Sequence, residues 1–254
     1  MRVRVLGCYG SRFPGLLTSC LLVNESLLVD AGAVTSTLSL EQQLVIDDVL
    51  LSHAHLDHIV ELAFLVDNLC FLREKPLRVW APAPVLKSLR DHLFNNEIWP
   101  DFTRIPQNRP AILELKPLAP GVPCRIAGLE VRWARTTHPV FSAGYCLSTE
   151  TAGLLYSGDT TVTEPLWQLG RDCRNLVAVF VETSLPNRLQ RIARESGHLT
   201  PALLANELVK LGRSDVSINV FHMKPQFVEE IVADLEMLDH PHLQVLRGGE
   251  EFIF

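Results

Sequence analysis

The chain has 254 residues, 47% hydrophobic and 20% charged, with a formal net charge of −6. This length and balance fit a globular protein with a full core, expected as one domain over 1–254, and the negative charge argues against a large polyanion such as duplex DNA as partner. No run approaches the roughly 20 apolar residues of a membrane span, and MRVRVLGCYGS has no apolar signal region, so a soluble cytoplasmic protein with no membrane partner is expected. The cysteines Cys8, Cys20, Cys70, Cys124, Cys146 and Cys173 form no C-x-x-C pair and read as reduced core residues, not a disulfide frame.

In chain order, the first elements are short strands separated by turns: RVRVLGC, SCLLVN and SLLVDAG, with Asn24-Glu25-Ser26 as a hairpin turn. LVIDDVLLS reads as another strand. From His58, IVELAFLVDNLCFL carries apolar residues at 62, 65, 66, 69 and 72, a helical period, with Asp57 placed as its N-cap. LRVWAP is a strand and PVLKSLRDHLFNN a helix. In the second half GLEVRWART, GYCLSTE, GLLYSGD, LVAVFVETS and VSINVF read as strands. PALLANELVKLG and PQFVEEIVADLEML read as helices, and LQVLRGGEEFIF as a closing hairpin. Two runs of strands, each followed by helices, predict two sheets packed together with helices outside.

At the junction between LVIDDVLLS and the next helix stand His53, His55, Asp57 and His58. In an extended segment both imidazoles of H-x-H point to one side and can grip one ion. Asp57 and His58 lie beyond, where the backbone turns, and can serve a second. Four strong metal-ligand types directly after an apolar strand are not what an ordinary polar surface loop offers. Further ligands must come from elsewhere, because a zinc ion takes about three or four from the protein. His138 follows VRWARTT, Asp159 follows LLYSG and His222 follows INVF, each where a strand exits into a loop. A lone His is more often packed or solvated; the repeated position is what makes this set informative.

In this order the residues resemble the metallo-β-lactamase superfamily, whose H-x-H-x-D-H motif, later His, Asp and final His bind two metals. The resemblance implies an α/β fold, the αββα four-layer sandwich of two mixed sheets with helices on the outer faces. It implies that His53, His55 and His138 hold one metal, that Asp57, His58 and His222 hold the other, and that Asp159 bridges. Within the superfamily the chain is similar to the class II 3′,5′-cyclic-nucleotide phosphodiesterases over SHAHLDHI, HLFNNEIWPDFTRIP, LLYSGDT, VETSLPNR, GHLTPALLANEL and FHMKP. HLFNNEIWPDF discriminates most, since lactamases, glyoxalases and ribonucleases share the metal motif. After HLDH the class carries a small residue and then a Ser followed by a small residue; here Glu61 and Asp67-Asn68 occupy that region. The implied activity is hydrolysis of a small cyclic nucleotide, cyclic AMP-like, to its 5′-monophosphate. The implied cofactors are two divalent ions, zinc first, with manganese or iron also suited to imidazole and carboxylate. Charge agrees: two divalent ions offset by Asp57 and Asp159 leave a positive site, matched to an anionic phosphodiester and not to a neutral lactam. Paired metals can activate water near neutral pH and stabilise both attacking and leaving oxygens.

Hydrolysis must also protonate the departing ribose oxygen. Glu182, ending the strand LVAVFV, and His198, just before the Thr200-Pro201 helix start, are the candidates for that acid. Ribonuclease Z relatives have a Glu and His pair in comparable motif positions; the blander reading is a loop brace. With Asp57 these make the catalytic set His198, Glu182 and Asp57. Other features read more plainly. RGGEEF matches a cyclic-dinucleotide synthase signature, but only Ile253 and Phe254 follow, so it is a turn. Arg188, Arg191 and Arg194 at helical spacing read as a solvated face, and Trp99 and Phe102 as either a base-stacking wall or core. His92, His240 and His242 have no supporting context. An RNA 3′-processing endonuclease of the ribonuclease Z type and a non-catalytic nucleotide-binding or scaffold protein on the same fold are the alternatives. A homodimer is compatible with the sequence.

Overall fold

The computed structural model describes residues 1–254. The strands β1 (Arg2–Gly7), β2 (Cys20–Val23) and β3 (Leu27–Val29) pair antiparallel. Asn24 and Glu25, with φ of 48° and 61°, make the tight turn between the last two, because successive positive φ values match the twist of the flanking strands. β3 then starts a parallel run with β4 (Asp48–Leu50), β5 (Leu77–Ala81) and β6 (Leu113–Pro117). The second sheet repeats this plan. β7 (Cys124–Ile126), β8 (Leu129–Thr136), β9 (Ser142–Ser148) and β10 (Gly153–Tyr156) are antiparallel. β11 (Leu176–Glu182), β12 (Ser217–Phe221) and β13 (Leu243–Val245) continue in parallel. β14 (Glu251–Ile253) returns to the first sheet beside β1, giving seven strands in each.

The sheets bury their inner faces on each other. Val3, Val5, Leu21, Val29 and Leu50 belong to one core with Tyr145, Leu147, Leu154, Tyr156 and Phe180. The Tyr145 hydroxyl donates to Leu51 O across the interface at 2.6 Å. The outer face of the first sheet carries α1 (Val34–Thr37), α2 (Leu40–Gln43), α3 (Leu56–Ile59), α4 (Leu62–Cys70) and α5 (Ala83–His92). Leu62, Leu65, Val66, Leu69, Val85 and Leu89 pack there against Leu22, Leu28, Val49 and Val79. The second sheet is followed by α6 (Pro165–Arg171), α7 (Gln190–Ser196), α8 (Pro201–Leu208) and α9 (Val228–Glu236). Trp167, Leu203, Leu204, Ile231 and Leu235 are their buried contributions. Strands such as LVAVFV are apolar on both faces because each sheet is covered on both sides. The result is the αββα sandwich.

Three expectations need correction. The helix after the H-x-H motif is broken: α3 ends at Ile59 and α4 begins at Leu62. His55, not Asp57, occupies the N-cap position, and Asp57 lies in the first turn of α3. The break follows from Ala31, whose N–H donates to His58 O and whose carbonyl accepts from Glu61 N, diverting the backbone. Glu61 is itself buried; it accepts from the N–H groups of Thr35 (2.7 Å) and Ser36 (2.9 Å) at the start of α1 and pairs with Arg12 at 2.9 Å. The closing segment is not a hairpin: β13 lies beside β12 in one sheet and β14 beside β1 in the other. Gly248 and Gly249, at φ of 94° and 93°, let the chain cross between them. β6, β7, α6 and α7 had no clear periodic signal. All six cysteines are free thiols. Phe102 is a core residue, Trp99 meets Phe64 edge-on, and Arg188 pairs with Glu230 on the surface.

Candidate metal centre

The singled-out side chains sit past the C-terminal ends of strands along one edge of the sandwich. The H-x-H motif follows β4, His138 follows β8, Asp159 follows β10, Glu182 ends β11 and His222 follows β12. This is the edge where open α/β sheets place their sites, because backbones diverge there and leave loops to converge. His222 has φ of 69°, unusual for a residue with a side chain. That bend turns its imidazole into the centre, and Gly10 makes room: a Cβ there would lie 2.6 Å from His222 O and 2.7 Å from its Nδ1.

Three groups of donor atoms form, each within 4.8 Å: His53, His55, His138 and Asp159 in one, Asp57, His58 and His222 in a second, and Asp159, His198 and His222 in a third that overlaps both. In the first, His138 Nε2 lies 3.1 Å from His55 Nδ1, and Asp159 Oδ2 lies 3.5 Å from His53 Nε2. In the second, His58 Nε2 and His222 Nε2 are 3.1 Å apart, and Asp57 Oδ2 is 3.3 Å from His222 Nε2. The other oxygen of Asp159, Oδ1, lies 3.2 Å from His58 and 3.3 Å from His222. Asp159 therefore faces the first two groups, one oxygen to each. The structure brings together all seven residues of the expected ligand set.

The donor set fits a pair of cations. His53 Nε2 and Asp159 Oδ1 are buried with no hydrogen-bond partner, a cost a protein rarely accepts without an ion. Burial, and then the neighbouring imidazoles, push the His53 pKa well below its ordinary value; burial also lowers His55 and His138. Burial alone would raise Asp159, but His222, His58 and His53 outweigh it and hold the carboxyl well below the usual range. Asp57 behaves alike: the hydrogen bond from His222 overcomes burial. Neutral imidazoles beside ionised carboxylates are the states metal coordination requires. His58 differs: burial opposes its charging, but Asp159 and Asp30 raise it well above the ordinary value, and a bound cation would displace that proton.

Three of the imidazoles, His53, His58 and His138, are aimed from behind. Asp30, at the end of β3 with φ of 58°, accepts from His58 Nδ1 (2.7 Å), Ser52 Oγ (2.8 Å), Ser52 N (2.8 Å) and Tyr156 OH (2.7 Å). Ser52 Oγ gives its proton to Asp30, so it accepts from His53 Nδ1 at 3.0 Å. The proton on Nδ1 leaves Nε2 free to ligate in both rings. His138 Nδ1 donates to Gly197 O at 2.9 Å. Gly197 closes α7 at φ of 75°, and a Cβ there would meet His138 Nδ1 at 2.8 Å.

Glu182 and His198 are also joined. Glu182 is fully buried and accepts from His198 Nδ1 (2.8 Å), Thr160 N (3.1 Å), Ser184 Oγ (2.8 Å) and Leu199 N (3.3 Å). Ser184 Oγ in turn accepts from His222 Nδ1 at 2.8 Å. Burial alone would lower the His198 pKa, but the charge and hydrogen bond of Glu182 outweigh it and raise it. His198 Nδ1 stands 4.0 Å from Asp159 Oδ2, at the border of both donor groups. Lys224 Nζ, 3.9 Å from Asp57 Oδ2, brings a positive charge to the same rim.

Sequence reading missed Asp30, Ser52, Ser184 and Tyr156. A signal existed for two: Asp30 is a carboxylate ending the apolar strand LLV, and Ser52 immediately precedes His53. Nothing local distinguishes Ser184 or Tyr156, which act only through contacts distant in sequence.

A family described as the beta-lactamase superfamily domain matches residues 26–223. The yeast Saccharomyces cerevisiae protein named 3′,5′-cyclic-nucleotide phosphodiesterase 1 is 28% identical over 215 residues, covering 70% of this chain and 56% of its own length. A probable 3′,5′-cyclic-nucleotide phosphodiesterase of Yersinia pestis is 26% identical over 283 residues, covering 89% of this chain and 78% of its own. The chain thus spans little more than half of the yeast relative. Among solved structures, the metallo-beta-lactamase fold protein YhfI of Bacillus subtilis superposes with a TM-score of 0.80 at 17% identity, covering 99% of each chain.

Proposed function

This chain belongs to the beta-lactamase superfamily and is a metal-dependent hydrolase, and we propose that it is a binuclear phosphodiesterase that opens 3′,5′-cyclic nucleotides to 5′-monophosphates. The observation that carries this reading is the Glu182–His198 pair beside a centre in which Asp159 faces both sets of donors, one oxygen to each. In the proposal His53, His55 and His138 hold one ion, Asp57, His58 and His222 the other, and Asp159 both, with zinc as the resident metal. Bound there, the ions would supply Lewis acidity and an activated water.

The remaining chemistry belongs to the side chains. A 3′,5′-cyclic phosphate loses a ribose alkoxide, a poor leaving group that departs readily only with a proton. His198 is hydrogen-bonded through Nδ1, so a second proton on Nε2 is the one available for transfer. Glu182 orients the ring and favours its charged form. Asp57, ligand and part of the catalytic set, holds its negative charge against burial. Lys224, 3.9 Å from Asp57, offsets part of that charge and adds a cation near the centre for an anionic substrate. Two cyclic-nucleotide phosphodiesterase relatives by name support the substrate class, and the proposal places the enzyme in the cytoplasm.

The test is one assay of metal-replete protein with cyclic AMP beside a precursor tRNA. Release of 5′-AMP without tRNA cleavage is expected. Cleavage of the tRNA alone would move the protein to the ribonuclease Z-type reading, and binding without turnover of either would make it a nucleotide-binding scaffold.

A further inference from the structure

A second reactive feature lies on the outer face of the second sheet. The register of β9 and β10 sets Cys146 opposite Leu155 and Ser148 opposite Gly153. Residues two apart on a strand share a face, so Cys146 and the bare Cα of Gly153 look the same way, toward α6. Gly144 shares that face, and a Cβ there would meet Leu166 of α6 at 2.5 Å. Cys173, in the turn that closes α6, enters the slot that Gly153 leaves open: a Cβ at 153 would lie 2.3 Å from its Sγ. The slot sets the Cys173 thiol on the face that carries Cys146, at the same cavity, with Asn175 Oδ1 3.5 Å from Cys173 Sγ on the other side. Both cysteines line a cavity of about 810 Å³ whose wall carries both signs, Arg125, Arg132 and Arg174 against Glu130, Glu150 and Asp172.

We propose that Cys146 and Cys173 form a redox-active dithiol that closes to a disulfide when a small-molecule disulfide of peptide size enters this cavity. The volume admits a molecule of peptide size, and the charges of both signs suit a zwitterionic one. The Cys173 thiolate attacks one sulfur of the oxidant, forming a mixed disulfide and expelling the other half as a thiolate. Cys146 then gives up its proton and attacks Cys173 Sγ, releasing the second half as a thiol. Two cysteine thiols are oxidised and one disulfide is reduced to two thiols, with no other reactant. Cys173 is the attacking group because it is the more exposed, at 8% against 3%. The neighbouring Cys146 thiol also lowers the Cys173 pKa, against burial, while the neighbouring Cys173 thiol and burial raise that of Cys146. The bridge would tie the middle of β9 to the end of α6, leaving the His/Asp centre untouched.

The experiment oxidises native, metal-loaded protein with oxidised glutathione, then alkylates it under denaturing conditions and maps the cysteines by mass spectrometry. The expected product is about 2 Da lighter before alkylation, with a single cross-link joining Cys146 to Cys173. Its melting temperature should rise by on the order of 5–10 °C, because the bridge constrains the unfolded chain. Cys146→Ser should stop at a glutathione mixed disulfide on Cys173, and Cys173→Ser should leave Cys146 unreacted. Six free thiols after treatment of the wild type, a stable mixed disulfide without closure, or a cross-link between other cysteines would each overturn the proposal.

Discussion

Asp30 and Glu182 stand behind the centre on opposite sheets, and they are built alike. Each buried carboxylate takes one imidazole directly and reaches a second through a serine. Asp30 holds His58 directly and His53 by way of Ser52. Glu182 holds His198 directly and His222 by way of Ser184. The difference lies in what the rings face. Both histidines behind Asp30 present Nε2 to the donor groups, so both belong to the proposed ligand set. Behind Glu182 only His222 is in the proposed ligand set, and His198 is left for proton transfer. In the proposed mechanism the same device, used twice, makes a fixed scaffold on one sheet and a scaffold plus an acid on the other.

The change that breaks both halves at once should have the largest effect. Asp159→Ala removes the carboxylate shared by the two groups; metal content should fall from about two ions per chain to below one, turnover should vanish and the melting temperature should drop. Elemental analysis beside an activity assay checks this, and a variant keeping both ions and wild-type turnover would refute the ligand assignment. His198→Ala should break only the second half's chemistry. Both ions should remain, and turnover should fall by roughly 10²- to 10⁴-fold.

Asp30→Asn should cost stability most among the orienting residues. Four donors lose their carboxylate, and urea unfolding should show a loss of about 2–3 kcal/mol together with weaker metal retention. A stability equal to wild type would remove the scaffold role. Ser184→Ala should be milder, since Glu182 keeps its other donors: metal affinity should fall by roughly 10- to 100-fold, read by competition with a chelator. The smallest effect concerns pH. The folded-state pKa of His198 lies above its ordinary 6.5, so its pair with Glu182 stabilises fully below that value and loses this contribution as pH rises through the raised pKa. The stability gap between wild type and His198→Ala should therefore narrow as pH climbs; a constant gap would mean that the imidazole is uncharged throughout.

How much of this was legible in the sequence depends on how far each contact reaches. His53, His55, Asp57 and His58 are adjacent, and His138, Asp159 and His222 each follow an apolar strand, so one linear pattern exposes all seven. The strands LVAVFV and VSINVF were equally plain because both faces are buried. Ser184 was not, since its meaning arises only when Glu182, His198 and His222 converge from three loops. The break at Ile59–Leu62 was hidden because apolar periodicity continues across it while Ala31, some 30 residues earlier, diverts the backbone. The final strands were misread for a related reason. A hairpin and a crossover share the same turn residues, and which forms is decided by the free edges of β12 and β1, not by anything within LQVLRGGEEFIF.

The most direct test of the unequal halves is the leaving-group dependence of His198→Ala. Wild type and variant, both loaded with two ions, are compared on cyclic AMP and on a nitrophenyl phosphodiester, whose oxyanion departs without a proton. If His198 is the acid, the variant should lose roughly 10²- to 10⁴-fold on cyclic AMP and little on the nitrophenyl ester, with Glu182→Gln showing a weaker form of the same split. Equal losses on both substrates would contradict the account and reduce His198 to a brace for the loop ahead of α8.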